Sequence, residues 1–210
     1  MKKYKIALLP GDGVGKEVIS CAKKVLDVLD IDAQYYYADI GWEFWKQEGN
    51  PLPDRTIQCL KECDCALLGA ITSKPSWEAE NELVSELKNQ GLKYRSPIIS
   101  LRQIFDLGIN LRPCQSIPGN TLSYKENIDI TIFRENTEGS YCGIEYSSIP
   151  NDLYDVVVNT HPAMKEYQKS GLDETAVSFR IMSKQKSERI LRAAFEYAQK
   201  KGKEEGYCSG

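Results

Sequence analysis

The chain has 210 residues, 41 % of them hydrophobic and 27 % charged, with a formal net charge of -3. This composition is typical of a globular protein, excludes disordered and fibrous classes, and argues against nucleic acid as the main partner. No apolar run approaches the ~20 residues of a membrane helix, and the basic start lacks a signal peptide's apolar length and cleavage site, so we expect a cytoplasmic protein with reduced cysteines and no membrane partner.

The first third of the chain alternates strand-like and helix-like segments. Apolar runs predict three strands and helical spacing predicts two helices: strands 5–9, 33–40 and 65–71, and helices 16–29 and 55–63. This alternation predicts an α/β protein with a mostly parallel sheet, in which ligands sit beyond the carboxyl ends of the strands. The glycine turn at 11–15 and the polar segment at 72–75 follow two of these ends.

The remaining chain predicts a short helix at 100–107 and strands at 109–113 and 128–134. It ends in a long amphipathic helix at 183–200. Residues 135–143 form a polar, glycine-containing segment that predicts a turn.

The glycine turn at 11–15 leaves a strand and opens a helix, so its backbone N–H groups can face an anion or a nucleotide. It is not the dinucleotide fingerprint, because Lys16 occupies the place of the third glycine. A tight structural turn and a ligand loop both remain open interpretations.

Three arginines and one tyrosine are candidate site residues. Arg112 and Arg134 each end an apolar run and Arg102 lies on a predicted helix. Guanidinium groups suit bidentate recognition of carboxylate or phosphate, although surface salt bridges are the alternative. Tyr141 follows closely in the chain, and nearby positive charge favours the phenolate form of a tyrosine, which suits an acid; packing is the alternative.

Other chemistry-bearing residues favour structural roles. Cys59, Cys63 and Cys65 lack the second ligand pair that zinc requires, so we interpret them as structural thiols. His161 is the only histidine, which argues against histidine triads and multi-histidine metal sites. The tryptophans are expected to pack in the core.

Five short motifs follow one another along the chain: 11–17 (GDGVGKE), 69–72 (GAIT), 100–103 (SLRQ), 110–113 (NLRP) and 133–145 (FRENTEGSYCGIE). In order and spacing they resemble the β-decarboxylating dehydrogenases, the family of isocitrate, isopropylmalate and homoisocitrate dehydrogenases. The resemblance extends from residue 5 to about 202. It implies the isopropylmalate-dehydrogenase-like two-domain α/β fold.

The resemblance also implies roles for these residues. Arg102, Arg112 and Arg134 bind the carboxylates of a 2-hydroxy acid, and Tyr141 delivers a proton to the carbon left after decarboxylation. Thr72 lies near the nicotinamide of NAD or NADP. Mg²⁺ or Mn²⁺ stabilises the enolate as a Lewis acid. Homodimers are expected for the full-length enzymes.

Substrate choice depends on the segment before Arg102. Ser96 stands where isocitrate enzymes carry a serine that bonds the distal carboxylate, but Ile98 replaces their usual Asn. Isopropylmalate enzymes carry leucines near Ile98 and a Glu at the position of Arg95. The resemblance therefore favours isocitrate, converted to 2-oxoglutarate in the tricarboxylic acid cycle, over homoisocitrate and isopropylmalate.

The family's catalytic lysine, metal-binding aspartates and adenosine segment are expected beyond residue 210, so no metal ligand is assigned here. We expect residues 1–97 to form part of a large domain with an incomplete sheet, and 98–202 a small substrate-binding and dimerisation domain. We interpret 203–210 as an aberrant tail, because its codons read one base later permit the family's next strand, which a frameshift would explain. Residues 1–210 alone are expected to show no dehydrogenase turnover.

Two alternatives from other classes remain. A non-catalytic regulatory subunit of this family usually loses site residues, whereas the three arginines and Tyr141 are retained here. An acid-binding remnant without chemistry would bind isocitrate and do nothing further.

Overall fold

A computed structural model describes residues 3–202, so the predicted tail at 203–210 lies outside the described residues. The chain divides into two compact units, Met1–Leu101 and Arg102–Gly210. In chain order the strands and helices are β1 (Tyr4–Gly11), α1 (Gly15–Asp27), β2 (Ala33–Tyr37), α2 (Trp42–Glu48), α3 (Asp54–Glu62), β3 (Cys65–Ala70), α4 (Ser76–Ala79), α5 (Pro97–Ile104), β4 (Ile109–Gln115), β5 (Asp129–Glu135), β6 (Glu145–Tyr146), α6 (Asn151–Thr160), α7 (Lys165–Gln168), β7 (Val177–Ser178) and α8 (Lys184–Lys200).

The first unit is built on a parallel sheet of order β2-β1-β3. The central strand β1 is buried from Ile6 to Leu9, as its continuous apolar run predicts for a strand with neighbours on both edges. Helix α1 buries Ile19 against Ile6 and Leu8. The parallel sheet predicted from the sequence is therefore confirmed in this unit.

A second cluster in the first unit forms around helix α2, which sequence periodicity does not predict. Trp42 and Trp45 are buried with Ala79 and Leu83. The ring of Tyr94 meets both indoles edge-on, at centroid distances of 4.9 and 5.4 Å. The predicted packing role holds for Trp42 and Trp45, while the side chain of Trp77 is not among those described.

The second unit pairs its strands in the opposite sense to the first. Strands β4 and β5 pair antiparallel, and so do the short strands β6 and β7. Antiparallel pairing needs only a connecting loop, which residues 116–128 supply, whereas parallel strands need a longer crossover. Helix α8 packs on β5, where the rings of Phe133 and Tyr197 meet edge-on at 5.3 Å.

Within residues 3–202, every helix falls short of the length and apolarity that crossing a bilayer requires.

Candidate functional site

The ring of Tyr141 is close to two of the predicted arginines. The guanidinium carbons of Arg102 and Arg134 stand over its ring, 5.4 and 5.2 Å from the centroid. Both distances are within cation–π range. The ring is half-buried, and its hydroxyl has no hydrogen-bond partner among residues 3–202. The structure thus brings two of the predicted arginines to the predicted tyrosine.

Arg112 and Arg134 lie on the same face of the β4–β5 strand pair, but Arg112 is not at the strand end that the sequence predicts. Strand β4 continues to Gln115, so Arg112 lies mid-strand rather than at a strand end, which corrects that expectation. Pro113 does not terminate β4 because an edge strand tolerates proline where no partner needs its N–H. Arg112 pairs with Ile132 and Arg134 with Asn110. The two arginines are therefore diagonal neighbours on the strand pair. By the usual sheet geometry, their Cα atoms are about 7–8 Å apart.

The three predicted arginines form no salt bridge with residues 3–202. Within the part of the chain that the structure describes, no carboxylate lies within ion-pair distance of Arg102, Arg112 or Arg134. Arg112 donates one bond, from Nε to Oδ1 of Asn110 at 3.1 Å. Surface salt bridges, the alternative interpretation, are thus not what these side chains form. Three unneutralised guanidinium groups favour a polyanionic ligand.

The turn between Arg134 and Tyr141 is held by the carboxylate of Glu135. It accepts bonds from the N–H groups of Thr137 and Glu138 at 2.8 and 2.7 Å and from the Thr137 hydroxyl at 2.7 Å. Burial alone would raise the pKa of Glu135, but these bonds outweigh burial and lower it. Because side chains alternate along a strand, Glu135 faces α8 while Arg134 faces Tyr141.

Helix α8 contributes two cations to this turn. Lys186 donates to the Thr137 hydroxyl at 2.7 Å, and Arg189 bonds Asp106 and lies 4.0 Å from a Glu135 oxygen. Arg189 also crosses Gly108 so closely that any Cβ there would collide with its guanidinium. Sequence reasoning missed these residues, because on a long amphipathic helix they resemble ordinary surface charges.

Both backbone polar groups of Thr72, which lies in the first unit, form hydrogen bonds to side chains. Its N–H donates to Oδ2 of Asp12 at 2.8 Å, and its carbonyl accepts from the Tyr94 hydroxyl at 3.2 Å. Asp12 is buried and also accepts the N–H of Trp42 at 2.7 Å. Sequence reasoning missed Asp12, because an aspartate inside a turn is ordinary in sequence.

The glycine turn itself has a structural explanation. A Cβ on Gly15 would collide with the Pro10 carbonyl and lie 2.8 Å from the Ala70 nitrogen, and a Cβ on Gly69 would collide with the same carbonyl. These glycines allow the first turn of α1 to pack directly on β1 and β3. The ligand-loop interpretation stays a prediction.

Ser96 belongs to the first unit, where it precedes α5 and its carbonyl accepts the Ser100 N–H at 3.1 Å. Arg102 begins the second unit, so the structure describes Thr72 and Ser96 apart from the arginine group.

The described cysteine, histidine and acidic side chains form neither a disulfide nor a metal site. The six described cysteines are free, and burial raises the pKa of Cys63 to about 11, with a smaller contribution from its neighbour Cys59. Among residues 3–202, no group of three or more His, Cys, Asp or Glu side chains could hold a metal ion. His161 ends α6, where its N–H donates to the Val157 carbonyl at 2.7 Å.

Relatives of this chain include dehydrogenases and a protein named without an activity. Protein DlpA of Legionella pneumophila is 42 % identical over 198 residues, covering 94 % of this chain and 31 % of that protein. Homoisocitrate dehydrogenase of Methanocaldococcus jannaschii is 36 % identical over 213 residues, covering 97 % of this chain and 51 % of that protein.

A solved structure confirms the predicted α/β fold. Isocitrate dehydrogenase from Methylococcus capsulatus superposes with a TM-score of 0.72 at 29 % identity, covering 96 % of this chain and 49 % of that one. The chain thus spans about half the length, or less, of these relatives. The family model described as isocitrate/isopropylmalate dehydrogenase matches residues 5–209, and the chain belongs to this family.

Proposed function

We propose that this chain supplies the substrate-binding and proton-donating part of an NAD(P)-dependent decarboxylating dehydrogenase that acts on a 2-hydroxy acid bearing a β-carboxylate. One observation carries the proposal. The guanidinium groups of Arg102 and Arg134 both stand over the Tyr141 ring, and neither arginine has a carboxylate partner in the described chain.

The arginines bind and orient the acid. An Arg–carboxylate contact can form two parallel hydrogen bonds, which fix the direction of the carboxylate as well as its position. Arg112 and Arg134 share one strand-pair face, so a di- or tricarboxylate can be bound at two points. Holding the acid at several points keeps its reacting carbon aligned, which is a large part of catalysis in such sites.

Tyr141 is the proton donor. Loss of carbon dioxide from the β-carboxylate leaves an electron pair on the adjacent carbon, and a positioned acid must protonate that carbon. The hydroxyl of Tyr141, which has no hydrogen-bond partner among residues 3–202, is available for this step.

The family resemblance implies a nicotinamide cofactor and a divalent metal ion, and the described residues suit the first but not the second. The Thr72 hydroxyl makes no hydrogen bond among residues 3–202 while its backbone is fixed, so it suits the polar edge of a nicotinamide, which would accept the hydride when bound. The described residues offer no ligand set for Mg²⁺ or Mn²⁺.

Isocitrate is the proposed substrate, supported by Ser96 and by the absence of an acidic residue at position 95. Homoisocitrate is the second candidate. The named homoisocitrate dehydrogenase of Methanocaldococcus jannaschii is 36 % identical to this chain, and the two acids differ by one methylene.

Calorimetry tests the proposal. The chain is titrated with isocitrate, homoisocitrate and 3-isopropylmalate, and we expect isocitrate to bind tightest. Arg134→Gln should weaken binding about tenfold or more, since a hydrogen bond to a charged group contributes roughly 1.5–3 kcal/mol. Arg180→Gln makes the same charge change at an exposed arginine outside the site, and should leave binding unchanged. Tightest binding of isopropylmalate would refute the substrate, and no binding of any acid would refute the site.

A further inference from the structure

Lys186 of α8 contacts two adjacent residues of the turn that joins Arg134 to Tyr141. Its ammonium donates to the Thr137 hydroxyl at 2.7 Å, and that hydroxyl donates to Glu135 at 2.7 Å. The same ammonium lies 3.8 Å from a carboxylate oxygen of Glu138. Glu135 directly follows Arg134, and Glu138 precedes Tyr141 by three residues.

The contacts of Lys186 are sheltered from solvent. The side chains of Lys186 and Glu138 are 29 % and 17 % exposed, and Thr137 is 7 % exposed. Partial burial strengthens a charge interaction relative to one in open water. Two carboxylates held in one turn repel each other, and the described cation that touches both the turn's hydroxyl and Glu138 is Lys186.

The start of α8 is anchored at the same place. The other Glu138 oxygen accepts the Ser183 N–H at 2.7 Å, and Ser183 caps α8 by accepting the Lys186 N–H. Gly139 donates its N–H to the Ile181 carbonyl at 2.8 Å. The turn and the first turn of α8 therefore form one hydrogen-bonded body.

We propose that Lys186 is a positioning residue for Tyr141: by bonding Thr137 and neutralising Glu138, it fixes the turn that sets the tyrosine close to the guanidinium groups of Arg102 and Arg134. Lys186 does not contact the acid. It acts through the turn, and its catalytic consequence rests on the proposed function above.

The experiment compares Lys186→Met, Lys186→Arg and Lys184→Met. Lys184 is a matched control on the same helix, because its ion pair with Glu188 is on the surface, with side chains 89 % and 58 % exposed. Glu138→Gln is a second variant, which keeps the shape and removes the charge that Lys186 neutralises. Circular dichroism verifies that each variant is folded.

Two readouts are measured. Proteins labelled with 3-fluorotyrosine give fluorine resonances from 12 tyrosines, and the one absent in Tyr141→Phe is Tyr141. Calorimetry gives the affinity for isocitrate. We expect Lys186→Met to shift or broaden the Tyr141 resonance and to weaken isocitrate binding about tenfold. Lys186→Arg should restore both, and Lys184→Met should alter neither.

An unmoved Tyr141 resonance in both Lys186→Met and Glu138→Gln overturns the inference. A general loss of packing would shift many tyrosine resonances and would not be rescued by arginine, and that result also contradicts a positioning role. If the parent chain binds no isocitrate, the proposed function fails, whereas the fluorine readout still decides the role of Lys186.

Discussion

Glu135 illustrates how much a single side chain can organise. Its carboxylate closes the turn after β5 by accepting two backbone N–H groups and one hydroxyl. These bonds favour the ionised form, so the folded chain keeps Glu135 charged to lower pH than the unfolded chain does. The stability that Glu135 contributes therefore depends on pH.

We expect this contribution to be complete above the unfolded glutamate pKa of about 4.3 and to be lost as pH falls through the lower folded value. Urea denaturation at pH 7 and at successive steps below pH 4.5 measures it. Glu135→Gln should lose less stability between these conditions than the parent chain. Glu196→Gln, an exposed substitution on α8, should behave like the parent. An identical acid loss in all three proteins would contradict the role of Glu135.

At the scale of elements, the start of α1 tests the packing interpretation of the glycine turn. Gly15→Ala improves helix propensity by about 1 kcal/mol. However, the new Cβ collides with the Pro10 backbone, which cannot move without disturbing β1. We expect a net loss of about 1–3 kcal/mol, in the range of overpacking. Thermal unfolding followed by far-ultraviolet circular dichroism measures this change.

Ser20→Ala on the exposed side of the same helix is the control, and we expect it to be neutral or slightly stabilising. A Gly15→Ala protein as stable as the parent would show that the turn has room for a side chain. The close packing of α1 would then not explain the glycine.

The same elements show what the sequence could predict. β1, β3 and α8 have strong periodicity or continuous apolar runs, and their predicted positions agree with the structure to within one or two residues. α2 is short and aromatic, so its helix depends on burial of Trp42 and Trp45 rather than on local preference. The direction of pairing between β4 and β5 depends on tertiary contacts, which no local pattern encodes.

The candidate site, like the fold, contains residues that the sequence could predict and residues that it could not. The five motifs identified Arg102, Arg134 and Tyr141, and the structure brings these three together. Lys186 and Asp12 escaped prediction, because a lysine on a helix and an aspartate in a turn are ordinary in sequence. Their importance comes from distant partners, Thr137 and Trp42, that only the folded chain brings near.

At the scale of the whole molecule, α8 exposes apolar side chains. Leu191 and Phe195 are 40 % and 59 % exposed, and their spacing places them on one face of the helix. Exposed apolar patches commonly mark interaction surfaces. We expect the chain to associate as its concentration rises, consistent with the homodimer that the family resemblance implies.

Sedimentation velocity over a range of concentrations tests this expectation. The double substitution Leu191→Ser and Phe195→Ser should reduce association, because it removes apolar area that association would bury. Leu122→Ser, at a more exposed leucine on the β4–β5 loop, is the control and should leave association unchanged. A parent chain that stays monomeric throughout would contradict the expectation.

The carboxylate of Asp12 has one more consequence. It accepts the N–H groups of Trp42 and Thr72 together, and Tyr94 both bonds the Thr72 carbonyl and contacts the Trp42 ring. The Trp42 indole is thus connected through Asp12 and Tyr94 to Thr72, the residue proposed to lie near the nicotinamide. Binding of a nicotinamide cofactor at the Thr72 loop should therefore change the tryptophan fluorescence of the protein. Cofactor binding can then be measured optically, without a label and without turnover.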